Sequence, residues 1–251
     1  MNNVIKRLFS LSCLAAATAI PGLSAAEPAI IAKARAYLGS ESALKSITTL
    51  HYVGQLEIEG ADNQEAITVE ILFKSPYRQR STIQSGRGSE ITVLNDYDGW
   101  QRIEAADDET RWTLTLLKVE QIKNLRANVW ENLNFFRGLE NQGGEIKDLG
   151  TVTIDGLTTR KLAFVHSSEV TFYRYFDEAT GRLVLTETIR GEKIREEGTM
   201  VVNGVKFPKT LITITPREDG TDQTIKINFS RVTVNEAIDQ SQFEMPVLTS
   251  K

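Results

Sequence analysis

The chain has 251 residues, 41% hydrophobic and 25% charged, with 29 Lys and Arg against 33 Asp and Glu for a net charge of −4. This is ordinary globular composition, which excludes disorder, collagen and long coiled coil; the mildly acidic balance without a Lys/Arg cluster argues against a nucleic-acid partner, which needs a basic face to neutralise phosphates. One cysteine excludes a disulfide framework and a thiolate-built zinc or iron–sulfur site, and two histidines leave little for metal or triad chemistry.

At the start of the chain, Lys6 and Arg7 precede a largely apolar run from Leu8 to Ile20, broken by Pro21-Gly22 and followed by Leu23-Ser24-Ala25-Ala26. These are the basic, apolar and small-residue regions of a secretory signal cleaved after Ala26, and the run falls short of the roughly 20 residues of a transmembrane helix. Cys13 lies inside the apolar run rather than just after it, so it reads as a discarded signal residue and not as an acylated lipoprotein cysteine. Residues 27–251 are then a single exported, periplasmic domain, without thiol and without lipid anchor.

After Pro28, Ile30, Ile31, Ala34, Tyr37 and Leu38 recur at helical spacing up to Gly39, and Ser40 is positioned to cap a second short helix through Leu44 and Ile47. Period-2 alternation follows: Leu50, Tyr52, Gly54, Leu56 and Ile58; Ile67, Val69, Ile71 and Phe73; Trp112, Leu114 and Leu116; then Val170 and Phe172, Leu183 and Leu185, Leu211, Ile212 and Ile214, and Ile225, Ile227 and Phe229. Strict alternation means one buried and one polar face, hence an antiparallel sheet. Glu59-Gly60, Gly86-Arg87-Gly88, Asp98-Gly99, Asp155-Gly156, Thr180-Gly181, Asn203-Gly204 and Asp219-Gly220 are turn signals that make a hairpin meander. Between the strand runs, Leu117 to Arg137 carries Ile122, Leu125, Val129, Leu133 and Phe136 at steps of three and four, a helix stopped by Gly138. Its apolar stripe is best buried against the hollow face of the curved sheet.

Catalytic constellations are missing from this pattern. His51 occupies a polar-facing strand slot and His166 precedes a predicted turn, so each reads as a surface or half-buried imidazole with no nucleophile beside it. Asp107-Asp108-Glu109 and Glu196-Glu197 read as solvated turns, since adjacent residues lack the spacing of calcium ligands. Gly86-Arg87-Gly88 has neither the third glycine nor the following helix of a phosphate loop. No catalytic residue, metal ligand or cofactor is therefore predicted, and the chain is not expected to be an enzyme. Apolar capacity remains: a curved sheet with helices on one face can enclose a lipid tail, each buried methylene contributing about 0.8 kcal/mol.

Several segments together carry a resemblance: Phe73-Lys74-Ser75-Pro76-Tyr77-Arg78; Asn95-Asp96-Tyr97-Asp98-Gly99-Trp100; Asp177-Glu178-Ala179-Thr180-Gly181-Arg182; Asn203-Gly204-Val205-Lys206-Phe207-Pro208; and the ending from Val232-Thr233-Val234-Asn235-Glu236 through Ile238-Asp239 to Phe243-Glu244-Met245-Pro246. In this order, over roughly the whole exported chain, they resemble the LolA-like family of periplasmic lipoprotein carriers. The resemblance implies a half-open antiparallel β-barrel of about eleven strands, with helices packed in the concave face as a lid over an apolar cavity. It also implies acyl chains of lipoproteins or other lipids as cargo, an inner-membrane transporter as donor, an outer-membrane acceptor, and a monomer. The best-known carriers of the family hold the lid with an arginine just before the strand-ending proline; that position is Ser75, and Arg78 or Arg80 would replace it only if the strand turns them inward. The cavity wall is then expected from Leu56, Ile58, Val69, Ile71, Trp112, Leu114, Phe172, Ile225 and Ile227, with Ile122, Leu125, Val129 and Leu133 from the helix and Trp130 at the mouth. The competing function is a half-barrel sensor or scaffold that binds an envelope protein.

Overall fold

A computed structural model describes residues 27–60 and 66–246; the predicted export signal lies outside the described residues. The chain opens with α1 (Ala29–Leu38) and α2 (Glu41–Ser46). Ser40 caps α2 as its composition suggests, its hydroxyl accepting from the Ala43 N–H at 3.2 Å. A first meander runs through β1 (Thr49–Ile58), β2 (Ile67–Lys74), β3 (Arg78–Ser85), β4 (Gly88–Asn95), β5 (Asp98–Ala105) and β6 (Asp108–Leu116). The helix α3 (Val119–Asn134) follows. A second set comprises β7 (Glu145–Ile154), β8 (Leu157–Ser167), β9 (Val170–Asp177), β10 (Leu183–Thr188), β11 (Lys193–Glu197), β12 (Met200–Val202), β13 (Val205–Phe207), β14 (Thr210–Pro216) and β15 (Asp222–Val234).

Thirteen of these strands form one antiparallel sheet in the order β6-β5-β4-β3-β2-β1-β15-β14-β11-β10-β9-β8-β7, while β12 and β13 pair as a separate hairpin. The expected count of about eleven is thus too low; the additional pieces include β11, β12 and β13, of three to five residues, too short to show a full alternating pattern. The first and last strands, β1 and β15, pair with each other and join the two meanders, leaving β6 and β7 as free edges of an open, mainly β fold. The chain that leaves the β6 edge must re-enter at the opposite β7 edge, and α3 lies on that crossing. It packs on β2, β3 and β4 from one meander and β9 from the other, against the hollow face.

Two apolar clusters fill that hollow. One gathers Leu50, Tyr52, Phe73, Phe229 and Val232 of the sheet, Leu44 of α2, Phe207 of β13, Val129 and Leu133 of α3 and Phe135 just after it. The other joins Ile31 and Ala34 of α1 to Trp130, Phe136, Leu162, Phe164 and Phe176. The helix ends at Asn134, earlier than the expected stop at Gly138, because Phe135 and Phe136 take left-handed backbone (φ 48° and 73°), which sends one ring into each cluster. Arg35 of α1 secures this end: Nη1 donates to the Asn134 and Phe135 carbonyls at 2.9 and 2.7 Å, and its other nitrogens grip Glu41. The Asp177–Gly181 turn docks on the same helix, with Lys33 Nζ donating to the Glu178 carbonyl at 2.6 Å. Gly181 is required there, since φ is 80° and a Cβ would stand 2.6 Å from the Lys33 backbone.

A third, smaller cluster lies on the convex face: Ile91, Val93 and Trp100 packed under Phe243, with Leu114 at its margin. The segment after β15 wraps over this face. Asn235 accepts from Thr48 N–H and donates to the Ser46 carbonyl, both at 2.9 Å, and Lys74 Nζ donates to the Ile238 carbonyl at 2.7 Å. No helix among the described residues is long and apolar enough to cross a membrane.

Candidate ligand-binding site

Between the two concave clusters the packing leaves a cavity of about 330 Å³. One wall is aromatic and aliphatic: Tyr52 of β1, Ile71 and Phe73 of β2, Leu211 of β14, Phe229 of β15 and Phe207 of β13. Strand register explains the continuity, because Tyr52 stands opposite Ile71, and Gly54 of the same β1 face stands opposite Phe229. The rings of Tyr52, Phe73, Phe207 and Phe229 meet at centroid distances of 4.8 to 6.3 Å.

The opposite wall is polar. Arg174 of β9 pairs with Thr186 of β10, Thr186 with Ile194 of β11, and Glu196 follows two residues on along the same face; α3 adds Asn128, Glu131 and Asn132. Glu131 is 6% exposed and is held from two sides, by Arg174 Nη2 at 2.8 Å and His166 Nε2 at 2.7 Å. Glu196 is different: it has no hydrogen-bonding partner among the described side chains, and the surface it keeps faces the cavity. Removal from bulk water pushes its carboxyl above the ordinary glutamate range, with Arg174 opposing the shift. The Tyr52 phenol is raised for the same reason, burial, with Glu196 adding to it, so the two groups share one low-dielectric space.

The predicted wall residues separate into three groups. Ile71 and Phe172 line the cavity. Leu56, Ile58, Val69, Ile225 and Ile227 lie on the same concave face by register, Leu56 opposite Ile227 and Ile58 opposite Ile225, but beyond the cavity; Ile122, Leu125, Val129 and Leu133 pack in the first cluster behind it. Trp112 and Leu114 are corrected: the row Val53–Glu70–Thr82–Ile91–Arg102–Leu114 tracks across the convex face, where Leu114 supports the third cluster and Trp112 lies 5.7 Å from the Arg102 guanidinium. Trp130 is also corrected: rather than standing at the mouth, it is 3% exposed in the second cluster and borders a separate recess of about 260 Å³ with Tyr77, Tyr97 and His166.

The polar residues of the site escaped the sequence reading. Glu196 was expected in a solvated turn but lies in β11, whereas His166 is half-buried at the end of β8 just ahead of the turn at Ser168-Glu169, as expected, and only its contact with Glu131 was not foreseen. Lys193-Ile194-Arg195-Glu196-Glu197 holds a single apolar residue and carries no alternating signal; the pairing of β11 with β14 is what puts Glu196 on the face of Ile194. His51, expected as a surface or half-buried imidazole, is 7% exposed on the convex face, its two ring nitrogens each 2.7 Å from a carboxylate oxygen, of Glu70 and Glu236. Among the described residues, no group of three or more His, Cys, Asp or Glu side chains is placed to hold a metal ion.

Searched by sequence, neither the protein-family models nor the curated proteins match the chain. Solved structures do. A LolA superfamily protein from Nitrosomonas europaea superposes with TM-score 0.54 at 12% identity, covering 86% of this chain and 96% of that one. A domain from Vibrio parahaemolyticus described as an outer-membrane lipoprotein-sorting protein gives 0.53 at 9% identity over 85% and 94%. A DUF1329 family protein from Desulfovibrio piger gives 0.52 at 11% identity over 86% and 96%. The chain has a LolA-like fold. At these identities the likeness is one of fold, so what occupies the cavity has to be argued from the residues of this chain.

The two arginines that follow Ser75 lie on the convex side of β3. Ser75 is exposed, Arg78 binds Asn95 and Asp96, and Arg80 donates to the Gln242 carbonyl, so neither arginine turns into the cavity. Other contacts hold α3 in place. Arg126 is sandwiched between the rings of Tyr77 and Tyr97 at 3.8 and 4.0 Å and donates to the Asp96 carbonyl. On the other side, Glu131 of α3 meets Arg174 of β9 and His166 of β8.

Proposed function

We propose that the protein is a periplasmic carrier that takes the acyl chains of lipoproteins or other lipids into the concave cavity and moves them toward the outer membrane. The observation that carries this reading is the cavity of about 330 Å³ left between an aromatic wall and α3. Its volume is at the lower end of small-ligand sites, about 300 to 1,000 Å³, so it suits a single chain with α3 in the position described. A larger cargo requires α3 to move outward, which the two-sided attachment of the helix permits without unfolding the sheet. Loading and release then follow from different affinities of the open and closed arrangements, with an inner-membrane transporter favouring one and an outer-membrane acceptor the other.

Native mass spectrometry of protein purified from the periplasm without detergent, before and after organic extraction, tests the reading. Bound masses that vanish on extraction and match a lipid or an acylated peptide support it; a clean unliganded mass together with failure to take up a fluorescent acyl probe contradicts it.

A further inference from the structure

The carrier reading concerns the chain of the ligand; the charged groups around the cavity concern its head. Three cations, Arg174, Arg182 and Lys206, line the cavity together with two carboxylates, Glu131 and Glu196. Arg174 is 8% exposed, and although Nη2 lies 2.8 Å from Glu131, its buried Nε has no acceptor among the described residues. Arg182 and Lys206 are half-buried and form no ion pair with any described residue. The Asp177 carboxylate near Arg182 takes its hydrogen bonds from Thr180 and Ala179 instead, and the Lys206 ammonium rests 4.0 Å from the Tyr37 ring centroid. Both of these cations lie against α1, Arg182 directly after the Gly181 that packs on the Lys33 backbone and Lys206 over Tyr37.

The balance of these charges narrows the ligand. Glu131 is committed within the wall, held between Arg174 and His166. With both carboxylates ionised the lining still carries one more positive than negative charge, and burial pushes Glu196 toward its neutral form, which widens the excess. Positive charge withdrawn from water without a counterion is costly, and the guanidinium and ammonium groups form their strongest contacts with carboxylate and phosphate oxygens. The aromatic wall across the cavity offers the chain of the same ligand its apolar surface. We propose that Arg174, Arg182 and Lys206 form a head-group site for acyl chains that carry an anionic head, the carboxylate or phosphate lying at the cations and the chain against the aromatic wall. This inference rests on the carrier reading and adds the charge of its ligand.

Three ligands with the same twelve-carbon chain test it by isothermal titration at pH 8, below micelle-forming concentrations: dodecanoate, dodecyl phosphate and the neutral monolauroylglycerol. The wild type is expected to bind at least one of the two anions about tenfold more tightly than the glyceride, and the tighter anion names the head as carboxylate or phosphate. In the Arg182→Gln/Lys206→Gln double variant that anion should fall to within about threefold of the glyceride. A second measurement needs no variant: raising the salt concentration about tenfold should weaken the wild type's hold on the anion about threefold without weakening its hold on the glyceride. A glyceride bound as tightly as both anions, a preference that survives loss of both cations in a folded variant, or anion binding indifferent to salt would overturn the head-group site while leaving the carrier intact. Absence of binding by all three ligands to folded wild type would overturn both readings.

Discussion

His51 shows how much can rest on one side chain in this protein. On the convex face it bridges Glu70 of β2 and Glu236 of the segment after β15, each at 2.7 Å, and so ties the wrapping segment to the middle of the sheet. His51→Ala removes both bonds and leaves two carboxylates facing each other. It should cost about 2 kcal/mol in urea denaturation; a loss below about 0.5 kcal/mol would show that the bridge is incidental. Glu196 acts through pH. Burial raises its carboxyl above the ordinary 4.5, so the folded state holds the proton more tightly than the unfolded chain. The stability this contributes is full below 4.5 and is lost as pH rises through the folded value. Asp148, held low by Arg160, and Asp177, held low by Thr180, act oppositely: their contribution is present above 3.8 and lost as pH falls. Glu196→Gln should therefore raise the thermal midpoint over the wild type at pH 8, with the difference closing by pH 4; a difference independent of pH would contradict the burial of this carboxyl. A site group that weakens the unliganded fold is what a binding role would leave behind.

At the scale of elements, α3 is the part whose attachment decides access to the cavity. Arg174 and Glu131 are 8% and 6% exposed, and removing one partner strands the other charge. Arg174→Met should destabilise by about 3 kcal/mol, and adding Glu131→Gln should recover part of that loss; full additivity of the two substitutions would contradict their coupling. Arg126→Ala opens the tyrosine sandwich and should cost about 1 kcal/mol, with faster amide hydrogen exchange in α3 than in β1 and β15. Uniform acceleration across the sheet would argue against α3 as a separately opening unit. The helices and most strands were legible in the sequence because their apolar period is regular: α1 matches its expected bounds, and α2 starts from the expected Ser40 cap. The face of β6 was not legible. Trp112 and Leu114 alternate correctly, but Phe243 gives the convex face an apolar cover of its own, so alternation alone does not say which face looks into the hollow. The polar wall was hidden for a related reason, since Glu196-Glu197 has the composition of a turn and only its pairing with Leu211 and Thr210 of β14 reveals a strand.

At the scale of the whole molecule, the path of the chain places the cavity. Pairing of β1 with β15 joins the meanders at their centre, the free edges fall at β6 and β7, and the crossing between those edges carries α3 over the hollow face. Any substitution that fills the hollow without disturbing the pairing should then abolish binding and leave the fold intact. Leu211 is the position for this: it is half-buried, projects into the cavity from the middle of the sheet and contacts the first cluster only from its margin. The most direct measurement is titration of the wild type and Leu211→Trp with a fluorescent twelve-carbon acyl probe, with circular dichroism of both proteins as the control on folding. One probe bound per wild-type chain, and at least tenfold weaker binding to a folded Leu211→Trp, is the predicted result. Equal binding by the two folded proteins would place the ligand elsewhere and contradict the account.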